Sequence, residues 1–188
     1  MAAQAQAGPF WTVQEYLDLE RHSTVKHEYH GGRVYAMASG TQAHSLIAGN
    51  AYAALHSAVR GTGCRALTSD MKIRQSLEDY VYANAVVSCA PSDNVPSRDW
   101  IAAPVLVVEV LSLHTERHDR SDKFDGYKQL ASLREYVLID SRRWAVEVWR
   151  LDEAGVWRPI VYGPEEAVAL TSVAVSLPLD LLYEDSGL

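Results

Sequence analysis

The sequence is poor in cysteine, has no long apolar run and has no excess of positive charge. Its two cysteines, Cys64 and Cys89, form no CxxC pair. We therefore expect neither a disulfide nor a cysteine-rich zinc site, but two buried thiols in a reducing cytoplasm. No segment reaches the ~18 consecutive apolar residues that a membrane helix needs, and the N-terminal residues lack the pattern of a secretion signal. The expectation is a soluble cytoplasmic protein with no membrane partner.

The overall charge is acidic. Lys and Arg together number 17 against 24 Asp and Glu, which gives a formal net charge of -7. A protein that coats nucleic acid through its total charge is therefore excluded, because such proteins are basic. A local basic surface is still compatible with this total, since phosphate contacts depend on where the charges lie.

Length and composition favour one globular domain. The chain has 188 residues, of which 48% are hydrophobic and 22% charged, close to the averages of proteins with a substantial core. We expect residues 1–8 to form a disordered tail and residues 9–188 a single domain.

The hydrophobic pattern predicts helices mixed with short strands. Thr12 and Glu15 form a capping box that opens a helix ending near Glu20, and a further helix spans 44–59. Gly31 and Gly32 divide a hairpin within 26–37. Further strands are predicted at 64–74, 80–89, 105–111, 135–140 and 145–150, a loop at 91–104, a helix at 120–130, and a strand pair with a final turn at 156–183. The fold class is α/β or α+β, with helices around a central sheet.

Glu109 is the most informative residue, because it lies inside the apolar strand Pro-Val-Leu-Val-Val-Glu-Val-Leu. A buried carboxylate is costly unless it is paired or binds a metal. An exposed strand end or a nearby Arg would also explain it. Lys123 lies on the helix that follows, where it shares a face with Tyr127. It could point toward Glu109, or it could form an ion pair with Asp119 at the surface.

Several motifs occur together in a recognisable order. They are Lys26-His27-Glu28-Tyr29-x-Gly-Gly-Arg33-Val34-Tyr35, Ser69-Asp70-Met71, Val107-Val108-Glu109-Val110-Leu111-Ser112, Asp122-Lys123-Phe124-x-x-Tyr127 and Leu133-Arg134-Glu135-Tyr136-Val137. From about Trp11 to Arg150 the chain resembles the Uma-two family, whose members are restriction-endonuclease-like proteins of the PD-(D/E)XK nuclease superfamily. The resemblance implies a central mixed β-sheet flanked by helices and a divalent-metal nuclease acting on DNA.

The resemblance also assigns roles to individual residues. Glu109 corresponds to the acid of the second strand, Lys123 to a catalytic lysine on the following helix, and Glu28 to a third acid. The family usually has Pro-Asp where this chain has Ala83-Asn84. Asn84 keeps an oxygen ligand but lacks the negative charge that a hard cation such as Mg²⁺ or Mn²⁺ favours, so cleavage is expected to be impaired.

Further residues are candidates for contact with nucleic acid or metal. The expected nucleic-acid contacts are His44, Lys72, Arg74, Arg117, Arg120 and Tyr127. His44 could equally be an exposed residue at a helix start, and the basic residues could be solvated faces. His114 and His118 have helical i,i+4 spacing, but two histidines alone are usually surface residues rather than a zinc site.

Three functions are compatible with these features. The first is a Mg²⁺- or Mn²⁺-dependent DNA endonuclease whose site contains Glu28, Asn84, Glu109 and Lys123. The second is a degenerate nuclease fold that binds nucleic acid or protein without cutting, as Asn84 would suggest. The third is an interaction module that forms a homodimer through exposed tryptophans, namely Trp100, Trp144, Trp149 and Trp157. A homodimer is expected of the endonuclease too, since two symmetric sites can cut two strands.

Overall fold

The structure is a computed structural model that describes residues 10–37 and 39–188. The predicted tail at residues 1–8 lies outside this described part. The described chain has five α-helices: α1 (Val13–His22), α2 (Gln42–Val59), α3 (Glu116–Arg120), α4 (Asp122–Lys128) and α5 (Leu179–Tyr183). None of these helices is long and apolar enough to cross a membrane.

Thirteen strands form two mixed sheets and a ribbon. They are β1 (His27–His30), β2 (Arg33–Ala36), β3 (Arg65–Thr68), β4 (Lys72–Arg74), β5 (Asp79–Tyr82), β6 (Ala85–Ser88), β7 (Trp100–Ile101), β8 (Pro104–Leu111), β9 (Glu135–Asp140), β10 (Val146–Leu151), β11 (Trp157–Tyr162), β12 (Ala167–Leu170) and β13 (Val175–Pro178). The smaller sheet has the order β2-β1-β5-β4-β7, the larger sheet has the order β11-β10-β9-β8-β6-β3, and β12 pairs with β13. The mixed sheets flanked by helices confirm the predicted fold class.

The larger sheet carries the main core on both of its faces. Alternate residues of β8 point to opposite faces, as the period of two in a strand requires. Leu106 and Val108 join the cluster formed by α2 and α5, whereas Val107 and Leu111 join Phe124 on the α4 side. Glu109 has the same parity as Val107 and Leu111, so it points toward α4.

Two predicted strands are each divided between the two sheets, which corrects the sequence-based assignment. Residues 80–89 form β5 in the smaller sheet and β6 in the larger one, with Ala83 and Asn84 between them. Residues 64–74 form β3 in the larger sheet and β4 in the smaller one. A continuous apolar pattern cannot reveal such a crossing, because each half remains buried in a different sheet.

Other elements differ from the prediction in smaller ways. The capping box of Thr12 and Glu15 is present, as are the hairpin and α2. The predicted helix at 120–130 is two short helices that meet at Ser121. The loop at 91–104 contains a 3-10 turn and β7, and the chain's final turn is the helix α5.

The two cysteines form a disulfide, so the expectation of two free thiols is wrong. β3 and β6 pair antiparallel with Arg65 opposite Ser88, which places Cys64 and Cys89 opposite each other just beyond the strands. Their Cα atoms are 4.0 Å apart and their sulfurs are bonded across a sequence separation of 25 residues. Only this cross-strand register brings two isolated cysteines within bonding distance.

Removing the disulfide should lower the free energy of unfolding. A closed loop of this length is worth about 3 kcal/mol through the restricted unfolded chain. Urea unfolding of the oxidised protein with and without reductant measures the difference. The variant in which both cysteines are alanine is the control, and reductant should not change its midpoint. Equal midpoints for the oxidised and reduced natural chain would contradict the disulfide's stabilising role.

Candidate active site

A buried lysine ammonium lies at the centre of the candidate site. Lys123 Nζ is 3.0 Å from Glu28 Oε1 and 3.0 Å from Glu109 Oε1. The side chains of Lys123, Glu28 and Glu109 are 6%, 11% and 5% exposed. Sequence reasoning placed these three residues in one site, and the structure brings them together from α4, β1 and β8. Their catalytic roles stay predictions.

Local structure holds the lysine and Glu109 in place. Tyr127 lies one helical turn after Lys123 on α4, and its hydroxyl donates to Glu109 Oε1 at 3.1 Å. Gln75 reaches across from the smaller sheet, and its Nε2 donates to the Lys123 carbonyl oxygen at 2.9 Å. The helix is therefore fixed to both sheets by polar contacts next to the ammonium group. Sequence reasoning did not identify Gln75.

The two oxygens of Glu28 face different neighbours. Oε1 accepts the backbone N–H of Tyr82 at 3.0 Å, and the same oxygen contacts Lys123. Oε2 lies 3.7 Å from His30 Nε2 and 3.7 Å from His118 Nε2. The carboxylate thus joins the buried lysine on one side to a pair of imidazoles on the other.

The two imidazoles form an edge-to-face pair at the more exposed side of the site. The His30 and His118 ring centroids are 5.7 Å apart with an interplanar angle of 84°. His30 had no predicted role, although its position two residues after Glu28 on β1 places both side chains on one face. His118 was considered only together with His114, yet its Nε2 faces Glu28 on β1, and its Nδ1 lies 3.6 Å from Asp122 Oδ2.

Burial and neighbouring charges shift the pKa values of the charged residues. Burial would raise the pKa of Glu28, but Lys123, then His118 and His30, and the Tyr82 N–H hold it well below its usual value. Burial raises the pKa of Glu109 to about 8 despite Lys123. Burial lowers the pKa of Lys123, but Glu109, Glu28 and Asp119 outweigh it and raise the net value. Lys123 is therefore a persistent cation at neutral pH.

Asp119 belongs to the same buried cluster. Its Oδ1 lies 3.8 Å from Lys123 Nζ, and its side chain is 5% exposed. The anticipated pair of Asp119 and Lys123 at the surface is therefore buried instead. Burial raises the pKa of Asp119, with Lys123 acting in the opposite direction. The i,i+4 spacing to Lys123 was the available sequence signal, but spacing alone does not reveal burial.

Asn84 lies where the chain crosses between the two sheets. Its backbone N–H donates to the Val108 carbonyl at 3.0 Å, and its Oδ1 accepts the Val110 N–H at 2.7 Å. Asn84 therefore holds the backbone on both sides of Glu109. Its side-chain oxygen extends the β6–β8 pairing by one residue, a role that an aspartate oxygen could also perform.

The residues expected to contact nucleic acid do not form one basic surface. Lys72 is buried and its Nζ contacts Asp99 Oδ2 at 2.8 Å. The Arg74 guanidinium lies 4.0 Å from the centre of the Trp100 ring. Arg120 is paired with Glu116 and Glu147, while Tyr127 is fully buried beside Glu109 and Arg117 is exposed on α3.

His44 lies near the N-terminus of α2, and its backbone N–H donates to Thr41 at 3.2 Å. Burial lowers the pKa of His44, whereas the Val110 backbone and Asp119 act in the opposite direction. It is thus a partly buried residue rather than the exposed one that was considered as an alternative. Its contact with phosphate remains a prediction.

The tryptophans expected at an exposed dimer surface pack within the chain. Trp144 stacks on Tyr183, and Trp149 and Trp157 contact Phe124. Trp100 lies against two guanidinium groups. All four are only partly exposed, so the expectation of exposed tryptophans is wrong, because intramolecular aromatic and cationic neighbours cover them.

The residues present fit a divalent cation. Glu28, His30 and His118 each offer one ligand atom, and these atoms lie within 4.8 Å of one another. In residues 10–37 and 39–188, His30 Nε2 is one of two buried side-chain nitrogen or oxygen atoms without a hydrogen-bond partner. A buried polar atom without a partner is costly, and a cation would satisfy it.

Comparison with known proteins gives consistent similarities. The family model Uma2, described as "Putative restriction endonuclease", matches residues 13–181. An uncharacterized protein of Synechocystis sp., slr1290, is 32% identical over 186 residues that cover 97% of each chain. Another from the same organism, sll1609, is 30% identical over 139 residues, 72% of this chain and 78% of that protein.

The fold has a solved counterpart. The crystal structure of a "putative nuclease belonging to DUF820" from Anabaena variabilis has a TM-score of 0.68 to this structure. The similarity covers 92% of this chain and 97% of that chain, at 20% sequence identity. It supports the same arrangement of sheets and helices.

Replacing Lys123 with methionine should strongly destabilise the protein. The change leaves the buried carboxylates of Glu28, Glu109 and Asp119 without their cation, which costs about 3–5 kcal/mol. Urea unfolding measures the loss. Lys128→Met is the matched control on the same helix, because Lys128 forms a more exposed pair with Asp125 worth about 1 kcal/mol or less. Equal losses for the two variants would show that the buried cluster is not held by Lys123.

Proposed function

The chain belongs to the Uma2 family, and we propose that it is a metal-dependent nuclease that hydrolyses phosphodiester bonds in DNA. The observation that carries the proposal is the buried Lys123 ammonium between the carboxylates of Glu28 and Glu109. Carboxylates can hold a cation that polarises a phosphate, and an adjacent lysine can offset the negative charge that develops during hydrolysis.

Glu28 and Glu109 are the proposed carboxylate ligands of the cation, and Asn84 is a proposed neutral ligand. The expected cation is Mg²⁺ or Mn²⁺, because both accept oxygen ligands. When bound, such a cation supplies Lewis acidity at the scissile phosphate and lowers the pKa of a bound water. Since Asn84 has no charge, binding at this position is expected to be weaker than with aspartate.

The protein's own side chains position and balance charge around the reacting phosphate. Lys123 remains protonated and offsets the negative charge that develops during hydrolysis. Tyr127 donates a hydrogen bond to Glu109 and so fixes the orientation of its carboxylate. Asn84 holds the backbone on both sides of Glu109, which restricts movement of the strand that carries it.

DNA is the proposed substrate, bound by basic residues around the site. Arg117 is the strongest candidate, since it is exposed on α3 and adjacent in sequence to His118. Arg120 and Arg74 would have to exchange their present contacts with Glu147 and Trp100 for phosphate. A homodimer remains part of the proposal, because two symmetric copies of the site can cut both strands. The cytoplasmic location stays a prediction from the sequence, and the disulfide of Cys64 and Cys89 removes the free thiols from its support.

The second candidate is a nuclease fold that binds nucleic acid or a protein without cutting. Asn84 favours it, because the loss of one acidic ligand weakens the binding of a hard cation. The two functions differ in a single measurable property, which is cleavage that depends on Glu109.

Glu109→Gln should abolish cleavage. The substitution keeps the shape of the side chain but removes its ability to ionise and so to bind a cation as a carboxylate, and we expect a loss of about 100-fold or more in the rate of plasmid nicking with Mn²⁺. Glu153→Gln is the control, because Glu153 is exposed on the turn between β10 and β11. Circular dichroism checks that both variants are folded. Nicking by Glu109→Gln at the natural rate would exclude this site, and absence of nicking by the natural chain would favour the binding function.

Asn84→Asp should raise the rate of nicking. The new carboxylate can still accept the Val110 N–H through one oxygen, and it adds the negative charge that a divalent cation favours. We expect about a tenfold or greater increase at limiting Mn²⁺, given that cation affinity depends on ligand charge. Asn84→Ala is the matched variant that loses the hydrogen bond and gains no charge. An unchanged rate in Asn84→Asp would show that Asn84 does not limit cleavage.

A further inference from the structure

We propose that Glu28, His30 and His118 form a binding site for a transition-metal ion that prefers imidazole ligands, such as Zn²⁺, rather than for Mg²⁺. The inference goes beyond the proposed function, because this ligand set shares only Glu28 with the proposed Mg²⁺ or Mn²⁺ ligands Glu28, Glu109 and Asn84. The metal-binding claim itself is independent of whether the protein cuts DNA.

The donor atoms converge from two elements that are distant in the sequence. Glu28 and His30 lie on β1, and His118 lies on α3. Both imidazole Nε2 atoms are 3.7 Å from Glu28 Oε2. Two ligands that each lie about 2.1 Å from a tetrahedral zinc ion are separated by about 3.4 Å. The two distances to Glu28 are therefore slightly wider than in a loaded site, and all three ligand atoms lie within 4.8 Å of one another, so binding would draw the side chains closer together.

A second carboxylate lies near each histidine, just beyond hydrogen-bond distance. His30 Nδ1 lies 3.6 Å from Asp79 Oδ1, and His118 Nδ1 lies 3.6 Å from Asp122 Oδ2. A carboxylate next to Nδ1 favours a proton on that nitrogen and leaves the Nε2 lone pair available. In metal sites a carboxylate hydrogen-bonded to the outer ring nitrogen fixes the orientation of the ring, and small movements of Asp79 and Asp122 would bring them within that distance.

The unpaired nitrogen of His30 is the second, independent indication. His30 Nε2 is buried without a hydrogen-bond partner, although it faces Glu28 Oε2 beyond hydrogen-bond distance. His118 is 39% exposed, so solvent and ions have access to the ligand set. A bound ion would give the buried His30 nitrogen the partner that it lacks.

The type of the donor atoms selects the ion. Mg²⁺ favours oxygen ligands and keeps several waters, whereas Zn²⁺ and related ions bind imidazole well. Two histidines and one carboxylate leave open positions for water or a phosphate oxygen, as in catalytic zinc sites. Glu28 Oε1 stays on Lys123, so one carboxylate joins the proposed ion to the lysine.

Isothermal titration calorimetry of the metal-free full chain with ZnCl₂ and with MgCl₂ tests the proposal. We expect one Zn²⁺ per chain, bound about 100-fold or more tightly than Mg²⁺. His30→Ala and His118→Gln should each weaken Zn²⁺ binding by about 100-fold, while Asp79→Asn should weaken it by about tenfold. His118→Gln keeps the test valid if His30→Ala unfolds, because His118 is the more exposed of the two.

His114→Ala is the matched control, because His114 is exposed on the turn that precedes α3, four residues before His118. Its Zn²⁺ affinity should equal that of the natural chain. No Zn²⁺ binding, or binding that survives loss of either histidine, would overturn the proposed site.

Plasmid nicking measured on the same samples separates this inference from the proposed function. Tight Zn²⁺ binding that depends on both histidines, without nicking under any cation, supports the metal site and contradicts the nuclease. Mg²⁺-dependent nicking by the natural chain, together with no Zn²⁺ binding in calorimetry, supports the nuclease and contradicts the metal site.

Discussion

The buried ammonium of Lys123 is the constraint on which the candidate site depends. Three acidic side chains surround it, from β1, β8 and α3, with Nζ to oxygen distances of 3.0, 3.0 and 3.8 Å. Each charged group would be expensive to bury alone, and only their proximity makes the burial tolerable. Burial of Lys123 is therefore tolerable only where both sheets and the α3–α4 segment pack together and bring these acids to it.

The crossing between the sheets at Ala83 and Asn84 makes this meeting possible. β5 pairs with β1, which carries Glu28, and β6 pairs with β8, which carries Glu109. The chain thus connects two acidic strands through one short crossing. The side chains of Glu28 and Asn84 complete the hydrogen bonding there, since Glu28 accepts the Tyr82 N–H and Asn84 accepts the Val110 N–H. Glu28 and Asn84 therefore also satisfy backbone N–H groups next to the crossing.

The two carboxylate oxygens of Glu28 have different partners, and this links the two parts of the site. Its Oε1 is committed to the lysine and to backbone, whereas its Oε2 faces the two histidines. The same carboxylate therefore takes part in the stable buried cluster and in the more accessible ligand set. A positive charge at the histidine side would interact with Lys123 through Glu28, so the occupancy of one side affects the other.

The sequence by itself determined the mixed α/β class, the capped first helix and the hairpin, and its resemblance to the family grouped Glu28, Glu109 and Lys123. Periodicity, capping residues and motif order are local signals, and they survive in any correct fold. Tertiary structure alone decided the division of residues 80–89 between two sheets, the disulfide of Cys64 and Cys89, and the convergence of His30 with His118. These features depend on strand register and on contacts between distant segments, for which a single sequence carries no local pattern. Spacing indicated that Asp119 could reach Lys123, but only the packing of α3 and α4 against the sheets determined that the pair is buried.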